Sequence, residues 1–166
     1  MREIPLTRGA VAIVDDDDYE KLSKYKWYYI GMGYAARCLC ANGKHTALYM
    51  HKCIIPAPSG YEVDHINQNK LDNRKENLRA CTRTQNLGNR TPYANNTSGY
   101  KGVSWNRNER KWIVQIGIYG KRIRVGEFAD KKEAAKAYNK AAIEWFGEFA
   151  CINNVENSQD GRKASD

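Results

Sequence analysis

Long apolar runs and paired cysteines are both missing from this 166-residue sequence. No stretch approaches the roughly 20 apolar residues that a membrane-spanning helix needs, and the N-terminus has no apolar core of the kind found in signal peptides. We therefore expect a cytoplasmic protein with no membrane partner. The five cysteines are an odd number without CxxC spacing, which argues against a disulfide framework and a zinc ribbon. We expect buried thiols, and the alternative is a zinc cluster of Cys38, Cys40, Cys53 and Cys81.

Acidic residues are outnumbered by basic ones. There are 27 Lys and Arg against 19 Asp and Glu, which gives a formal net charge of +8. Residues 99–153 hold 11 bases and 6 acids, so more than half of the excess lies in this one segment. A basic balance suits a polyanionic partner such as nucleic acid. Charge alone leaves open the alternative of a basic protein with no such partner.

Four segments of different composition follow one another along the chain. Residues 1–90 mix apolar, aromatic and polar stretches, whereas residues 99–153 show a pattern of three short strands and a helix. Residues 91–98 belong to a tract rich in Asn and Thr without apolar periodicity, which is typical of a linker. Residues 154–166 have little apolar content and are expected to be disordered. We therefore predict two small domains, a linker between them and a tail.

Residues 1–60 predict a mixed α/β region. A short apolar strand precedes four aspartates at 15–18, which suit the positively polarised start of a helix. A cation site at these aspartates is the alternative. Asn42-Gly43 is the strongest hairpin signal in the chain. His51 stands alone in the sequence, and we interpret it as a packed residue and not as a ligand.

The main group of chemistry-bearing side chains begins at Asp64-His65, which ends a short apolar stretch. Hydrolysis of a phosphodiester needs a nucleophilic water, a cation that balances charge on phosphorus and help for the leaving oxygen. Imidazole titrates near neutrality, so His65 is the natural general base. Asp64 supplies a hard oxygen ligand for a metal ion.

Two later asparagines complete this candidate site. Asn86 lies on a predicted helix that starts at about Arg83 with Thr82 as its cap, and it can supply a second oxygen ligand. One carboxylate and one amide oxygen leave most of the coordination sphere to water and phosphate, as Mg²⁺ prefers. We therefore expect Mg²⁺, with Mn²⁺ as a substitute. Asn77 opens a short strand and is expected to fix the preceding loop and to hold the His65 ring.

The stretch from Val63 to Asn89 resembles the HNH (ββα-metal) nuclease motif, especially the form found in homing endonucleases. The resemblance rests on Asp-His, on Asn-Leu at the second strand and on the closing Gln-Asn. It implies a ββα fold, Asp64 and Asn86 as metal ligands, His65 as general base and Asn77 as the residue that orients it. It also implies products with 5′-phosphate and 3′-hydroxyl ends.

Departures from the motif leave one assignment open. Many relatives have His at the position of Asn86, so the second ligand is either Asn86 or Asn89. We interpret three other asparagines, Asn67, Asn69 and Asn73, as ordinary turn residues.

Residues 99–153 predict a three-stranded sheet with a helix behind it. In the third strand, Ile123 and Val125 alternate with Arg122 and Arg124, so one face is apolar and the other basic. The helix is predicted over 131–146, with Asp130 and Glu133 at its start and Gly147 as its stop. Its core-facing stripe is predicted to be Ala134, Tyr138, Ala141, Ala142 and Trp145.

This second pattern resembles an AP2 DNA-binding domain over residues 98–153. The resemblance rests on Tyr-Lys-Gly-Val, Val-Gly-x-Phe, Ala-Ala-x-Ala-Tyr and a closing Asn. It implies a sheet that lies in the major groove of DNA with the helix packed behind it. Fewer arginines than in the plant domains occupy the first strand, so no base preference is carried over. The predicted DNA face comprises Lys101, Ser104, Asn106, Arg107, Gln115, Arg122 and Arg124.

Together these observations predict an α+β protein with an HNH nuclease domain and an AP2-like reader of double-stranded DNA. The predicted function is a metal-dependent, sequence-recognising DNA endonuclease of the homing type, acting in the cytoplasm of a bacterial or phage-infected cell. A monomer on DNA is favoured. The alternatives are a catalytically inactive DNA-binding regulator and an RNA-binding protein. A comparison of duplex DNA with structured RNA at equal salt tests the second alternative, because structured RNA presents a different groove.

Overall fold

A computed structural model describes residues 1–155 as a mixed α+β chain of small antiparallel sheets with few helices. The chain divides into two compact units with a boundary between Asn86 and Leu87. Unit 2 thus includes residues 87–98, which the sequence interpretation assigned to the nuclease domain and the linker. Within the described residues, no helix has the length and apolar content needed to cross a membrane. Most of the tail predicted to be disordered, from residue 156 onward, lies outside the described residues.

Unit 1 consists of three small antiparallel sheets, β1-β2, β3-β4-β5 and β6-β7. One buried core of aliphatic and aromatic side chains joins the first two sheets to the first two helices, and Leu71 packs against it from the loop between β6 and β7. The elements are β1 Arg2–Pro5, β2 Val11–Val14, α1 Asp16–Leu22, β3 Tyr28–Tyr29, β4 Ala35–Ala41, β5 Lys44–Tyr49, α2 Met50–Ile54, β6 Glu62–His65 and β7 Leu78–Cys81. The helix α3, Arg83–Asn89, begins in unit 1 and ends in unit 2.

The hairpin predicted at Asn42-Gly43 is confirmed. Asn42 has φ 51° and Gly43 has φ 74°, and they connect β4 to β5 between the paired residues Ala41 and Lys44. Two consecutive residues in the left-handed region match the right-handed twist of the strands they join, which explains why Asn and Gly are found here.

The acidic run at the start of α1 binds the loop between β6 and β7. Asp15 accepts a hydrogen bond from the backbone N of Lys75 at 2.7 Å, and the Lys75 ammonium lies 2.9 Å from Asp17 and 3.0 Å from Asp18. The predicted helix start at these aspartates is confirmed, and three of the four also contact this loop. Next to these contacts, β2 and the same loop exchange backbone hydrogen bonds, from Ile13 N to Leu71 O and from Asn73 N to Ile13 O, both at 2.8 Å.

Unit 2 contains a three-stranded antiparallel sheet in the order β10-β9-β8 with one long helix packed against it. The strands are β8 Val103–Asn106, β9 Lys111–Ile118 and β10 Lys121–Phe128, and the helix is α4 Lys131–Phe146. The Asp130 carboxylate accepts a hydrogen bond from Glu133 N at 2.8 Å, and Gly147 ends the helix with φ 54°. Both predicted ends of α4 are confirmed.

Two expectations about burial were wrong, those for the apolar stripe of α4 and for the thiols, and the apolar face of β10 is only partly covered. Trp145 is 52% exposed while its neighbour Phe146 is 5% exposed, so the apolar stripe of α4 ends on Phe146. Ile123 and Val125 are 39% and 37% exposed because β10 is an edge strand with a register shift between Arg124 and Gly126. Of the thiols, Cys38, Cys40 and Cys53 are exposed and Cys81 is buried.

Candidate active site

The hairpin of β6 and β7 buries two of the predicted site residues. Asp64 is 6% exposed and His65 4%, and across the hairpin they pair with Arg79 and Leu78, respectively. The chain turns sharply after His65, since Gln68 has φ 65° and donates its backbone N–H to His65 O at 2.9 Å. This turn supplies the strand end that lets neighbouring side chains converge.

Asp64 is held by a cross-strand arginine. Nε and Nη2 of Arg79 lie 3.1 Å and 3.0 Å from Asp64 Oδ2, and only 13% and 7% of the two side chains are exposed. The buried carboxylate therefore has a positively charged hydrogen-bond partner from the neighbouring strand. Arg79 was not among the residues predicted from the sequence.

Asn86 lies beside a second carboxylate. Its Nδ2 donates a hydrogen bond to Glu62 Oε2, which turns the amide oxygen away from Glu62. Glu62 is two residues before Asp64 on β6, so both carboxylates belong to one face of the strand. The structure therefore brings Asn86 to the carboxylate face of β6 and adds Glu62 to the site.

The start of α3 matches its prediction. Thr82 Oγ1 accepts a hydrogen bond from Gln85 N at 3.3 Å, while Gln85 Oε1 accepts one from Thr82 N at 2.8 Å. This reciprocal pair is the capping box of a helix N-terminus. It fixes the first turn of α3 and with it the direction of Asn86.

His65 bonds with Asn73 and not with Asn77. Nε2 of His65 lies 3.3 Å from Asn73 Oδ1, and Asn73 is 1% exposed. Burial lowers the pKa of His65, while the Asn73 hydrogen bond and the Asp64 charge act against that shift. The interpretation of Asn73 as an ordinary turn residue was therefore wrong.

Asn77 holds the loop instead. Its Oδ1 accepts the backbone N–H of Asn67 at 2.9 Å, and its Nδ2 donates to Asp72 O at 2.7 Å. Both contacts lie inside the loop between β6 and β7, which agrees with the loop-fixing role expected of Asn77. The expected contact with the His65 ring is corrected in favour of Asn73.

Aromatic rings enclose His65 on its other side. The His51 ring meets the His65 ring edge-on with 5.2 Å between centroids, and Tyr34 lies 5.9 Å from the same ring. His51 stacks on Tyr49 at 5.5 Å and is 6% exposed. Burial, with the nearby charges of His65 and Lys52, lowers the pKa of His51 to about 3, so its ring is neutral. The interpretation of His51 as a packed residue agrees with this environment, but its contact with His65 was not foreseen.

The oxygen donors present fit a hard divalent cation. Asp64 supplies a carboxylate, Asn86 an amide oxygen, and Glu62 a further carboxylate beside Asn86. Within residues 1–155, no group of three or more His, Cys, Asp or Glu could hold a metal on its own. A divalent ion here would therefore rely on an amide oxygen, water and substrate phosphate besides carboxylate.

On unit 2, most of the predicted DNA-contacting residues share one face of the sheet. The pairing of β8, β9 and β10 aligns Ser104 with Ile113, and Gln115 with Arg124. The opposite face carries Val114 and the rest of the core beneath α4. A shallow cavity of about 390 Å³ lies on this outer face. The outer face comprises Ser104, Asn106, Ile113, Gln115, Arg122, Arg124 and Glu127, and Arg107 lines its cavity.

Lys101 has a different role from the one predicted. Its ammonium donates to the carbonyl oxygens of Leu87 and Gly88 in the last turn of α3, and burial lowers its pKa to about 8. Its backbone N–H and C=O are both bound by the Asn153 side chain. The Lys101 ammonium is therefore hydrogen-bonded to backbone carbonyls within unit 2. The prediction that Lys101 belongs to the DNA face is corrected.

Comparison with known proteins adds the family. The family model described as HNH endonuclease matches residues 56–87. The chain is 35% identical over 150 residues to an uncharacterized HNH endonuclease, L560, of Acanthamoeba polyphaga mimivirus, covering 90% of this chain and 78% of that protein. It is 37% identical over 67 residues to Protein 3.8 of Escherichia phage T7, covering 40% of this chain and 55% of that protein.

A weaker similarity concerns a plant protein. The chain is 37% identical over 68 residues to APETALA2-like protein 2 of Oryza sativa subsp. indica, covering 40% of this chain and 16% of that protein. A match of this extent only weakly suggests an AP2-like domain. The similarity to the mimivirus protein, in contrast, extends over most of both chains and includes Asp64 and His65 within the matched family motif. This chain therefore belongs to the HNH endonuclease family and is a nuclease.

Proposed function

We propose that this protein is a divalent-metal-dependent, sequence-recognising DNA endonuclease of the homing type. It hydrolyses phosphodiester bonds and leaves 5′-phosphate and 3′-hydroxyl ends. The observation that carries the proposal is a buried imidazole at His65 that is oriented by Asn73 and follows Asp64 directly in the chain. Family membership supports nuclease chemistry, and the basic outer face of unit 2 supports DNA as the substrate.

His65 acts as the general base. The amide oxygen of Asn73 can only accept a hydrogen bond, so Nε2 carries the imidazole hydrogen and Nδ1 carries the lone pair. Nδ1 can therefore take a proton from the attacking water. Because burial lowers the pKa of His65, the neutral form needed for this step prevails at neutral pH.

Asp64 and Asn86 are the residues that would hold the ion. A bound dication would balance the charge that develops on the phosphoryl oxygens. Glu62 orients the Asn86 amide, and Arg79 neutralises Asp64 from the neighbouring strand. Asn77 keeps the intervening loop in the shape that places Asn73 against His65.

Choice of the cleavage site is proposed to belong to unit 2. Its sheet has a core-facing side covered by α4 and an outer side that carries Arg122, Arg124 and several amide and hydroxyl groups. Arginine and amide side chains can read base edges in a major groove, and a sheet of this kind is used by the AP2-like proteins that this unit resembles.

The test is cleavage by the purified full-length chain. Supercoiled plasmid and a random duplex library are incubated with Mg²⁺, with Mn²⁺ and with EDTA, and the ends produced are sequenced. We expect cutting with both ions, none in EDTA, and 5′-phosphate ends. His65→Ala should abolish cutting while duplex binding stays within about twofold, because general-base catalysis contributes roughly 10²–10⁴-fold.

The chain offers a matched control for His65. His45 lies on the exposed β4–β5 hairpin, where its ring contacts Cys38, so His45→Ala should cut like the wild type. If duplex is bound but no substrate is cut with either ion, the protein is an inactive DNA-binding regulator and the proposal fails. Tighter binding to structured RNA than to duplex DNA would also contradict it.

A further inference from the structure

A buried asparagine in the loop between β6 and β7 touches the reacting histidine. Asn73 is 1% exposed, and its Oδ1 lies 3.3 Å from Nε2 of His65. Burial of an amide side chain is costly unless its polar atoms are bonded. The chain keeps this amide in a place where a smaller apolar residue would be easier to bury.

The orientation of the amide is set from its other end. Asn73 Nδ2 donates to Leu71 O at 3.1 Å, and a carbonyl oxygen can only accept. The nitrogen of the amide therefore faces Leu71, and the oxygen is the atom that faces His65. An amide turned this way selects one tautomer of the imidazole, the one with hydrogen on Nε2 and the lone pair on Nδ1.

The backbone of Asn73 is anchored outside the loop. Its N–H donates to Ile13 O at 2.8 Å, and Ile13 N donates to Leu71 O at 2.8 Å, so β2 holds the loop from both sides of Asp72. The Asp72 carboxylate accepts hydrogen bonds from the Arg74 guanidinium at 2.8 Å and from the Asn67 side-chain amide at 2.9 Å. The position of Asn73 is thus set by the N-terminal sheet of unit 1 and by its own loop.

We infer that Asn73 is a positioning residue for the general base His65. This inference rests on the proposed function, in which His65 activates the attacking water. Asn73 does not act on the substrate. It holds the imidazole plane and its hydrogen so that Nδ1 presents its lone pair in one direction, while the edge of His51 limits rotation on the other side of the ring.

Four variants of the full-length chain test this role. Asn73→Ala removes the acceptor, Asn73→Asp keeps an acceptor oxygen, and His65→Ala is the reference. Asn69→Ala is the matched control. It removes the same kind of side chain from the same loop, where Asn69 Oδ1 accepts a hydrogen bond from Leu71 N at 3.1 Å. Cleavage is measured under single-turnover conditions with Mg²⁺, duplex affinity without metal, and folding by thermal melting.

The expected outcome is a loss of rate with little loss of binding. Asn73→Ala should cut about 10–100 times more slowly, the usual cost of losing a partner that orients a catalytic group, with duplex affinity within about twofold. Asn73→Asp should recover part of the rate, and Asn69→Ala should keep it. An Asn73→Ala variant that folds and cuts like the wild type would overturn the inference.

A double-mutant cycle separates positioning from a general structural effect. If Asn73 acts through His65, adding Asn73→Ala to His65→Ala should not slow residual cutting further. A further slowing of about tenfold would show that Asn73 acts elsewhere and would contradict the inference. If His65→Ala itself cuts like the wild type, the proposed function fails, which is a different result from an active Asn73→Ala.

A spectroscopic signature covers the case in which Asn73→Ala does not fold. The hydrogen on Nε2 of His65 should give a protected imidazole N–H signal in NMR spectra, identified by its loss in His65→Ala. The signal should persist in Asn69→Ala and in Asn73→Asp, which both keep an acceptor at His65. Its absence from wild-type protein, or from a folded Asn73→Asp, would overturn the inference.

Discussion

Arg79 donates to one oxygen of Asp64 from two nitrogens, Nε at 3.1 Å and Nη2 at 3.0 Å. The guanidinium thus sits directly on the carboxylate that is proposed to hold a divalent ion. Two cations this close to one carboxylate repel each other, and the repulsion is strong because little water surrounds the pair. Arg79 should therefore weaken ion binding in the absence of DNA. When DNA is bound, its phosphates can also bind the guanidinium, which should reduce this effect.

Arg79→Gln should bind Mn²⁺ more tightly than the wild type. The expected gain is about tenfold or more, because a neighbouring positive charge has been removed. Isothermal titration calorimetry with the full-length protein measures it. Arg83→Gln changes net charge equally at an exposed position and should leave the affinity near that of the wild type. Equal Mn²⁺ affinities for Arg79→Gln and wild type would contradict competition at Asp64.

Stability should depend on pH through His51. Burial lowers its pKa in the folded protein to about 3 from an ordinary value of 6.5. Between these values the unfolded chain binds more protons, so the free energy of unfolding falls as pH drops from about 6.5 toward 3. Urea unfolding at pH 7 and pH 5 should show lower stability at pH 5, and His51→Phe should reduce the difference.

The His51 prediction has an internal control. His45 is exposed on the β4–β5 hairpin, so His45→Phe should keep the wild-type difference between pH 7 and pH 5. The difference should not vanish completely in His51→Phe, because burial also lowers the pKa of His65 and adds a contribution of the same sign. An unchanged difference in His51→Phe would contradict the burial effect.

DNA binding by unit 2 should be restrained by its own carboxylates. Arg124 Nη2 lies 2.7 Å from Glu109 and 2.7 Å from Glu127, so two acids neutralise an arginine of the outer face. Replacing both by glutamine should raise affinity for duplex DNA by about threefold or more at low salt. An arginine that is no longer paired with carboxylates attracts DNA phosphates more strongly. Arg124→Ala should lower it. Fluorescence anisotropy at several salt concentrations measures both effects.

A second pair of variants controls for net charge. Glu144→Gln removes one acid from α4, which packs on the other face of the sheet, and should change affinity less than Glu109→Gln does. If Glu109→Gln and Glu144→Gln raise affinity equally, the effect is one of total charge and not of the ion pairs with Arg124.

Gly102 is a position where only glycine fits. A Cβ there would lie 2.2 Å from the Tyr138 ring and 2.6 Å from Gln115 O, and φ is +72°. Gly102→Ala should therefore destabilise unit 2 by about 3 kcal/mol, since overpacking adds to backbone strain. Gly120 has φ +76° with nothing within 4 Å of a Cβ, so Gly120→Ala should cost only about 1 kcal/mol. Thermal melting compares them, and equal losses would contradict the packing clash.

Local signals in the sequence predicted local structure well. The Asn42-Gly43 turn, the Thr82 cap of α3 and the Asp130 cap of α4 all depend on residues within four positions of each other. Alternation along β10 also placed Arg122 and Arg124 on one face, because strand side chains alternate with a period of two.

Asparagine identity was harder to interpret. Asn73 and Asn77 lie in one loop and have the same side chain, and motif spacing favoured Asn77 as the partner of His65. The structure assigns that contact to Asn73 because β2 binds the backbone on either side of Asp72. The bonds that decide this come from a strand some sixty residues earlier, and no local pattern reports them.

The sequence by itself determined many of the elements, the caps and four polar residues of the proposed chemistry, Asp64, His65, Asn77 and Asn86, because these follow from backbone propensity and side-chain type. Only the tertiary structure decided which of them meet. It paired Asp64 with Arg79 and Asn86 with Glu62, placed His51 against His65 and directed Lys101 to the end of α3. These contacts depend on strand register and on burial in a shared core, which are properties of the folded chain as a whole.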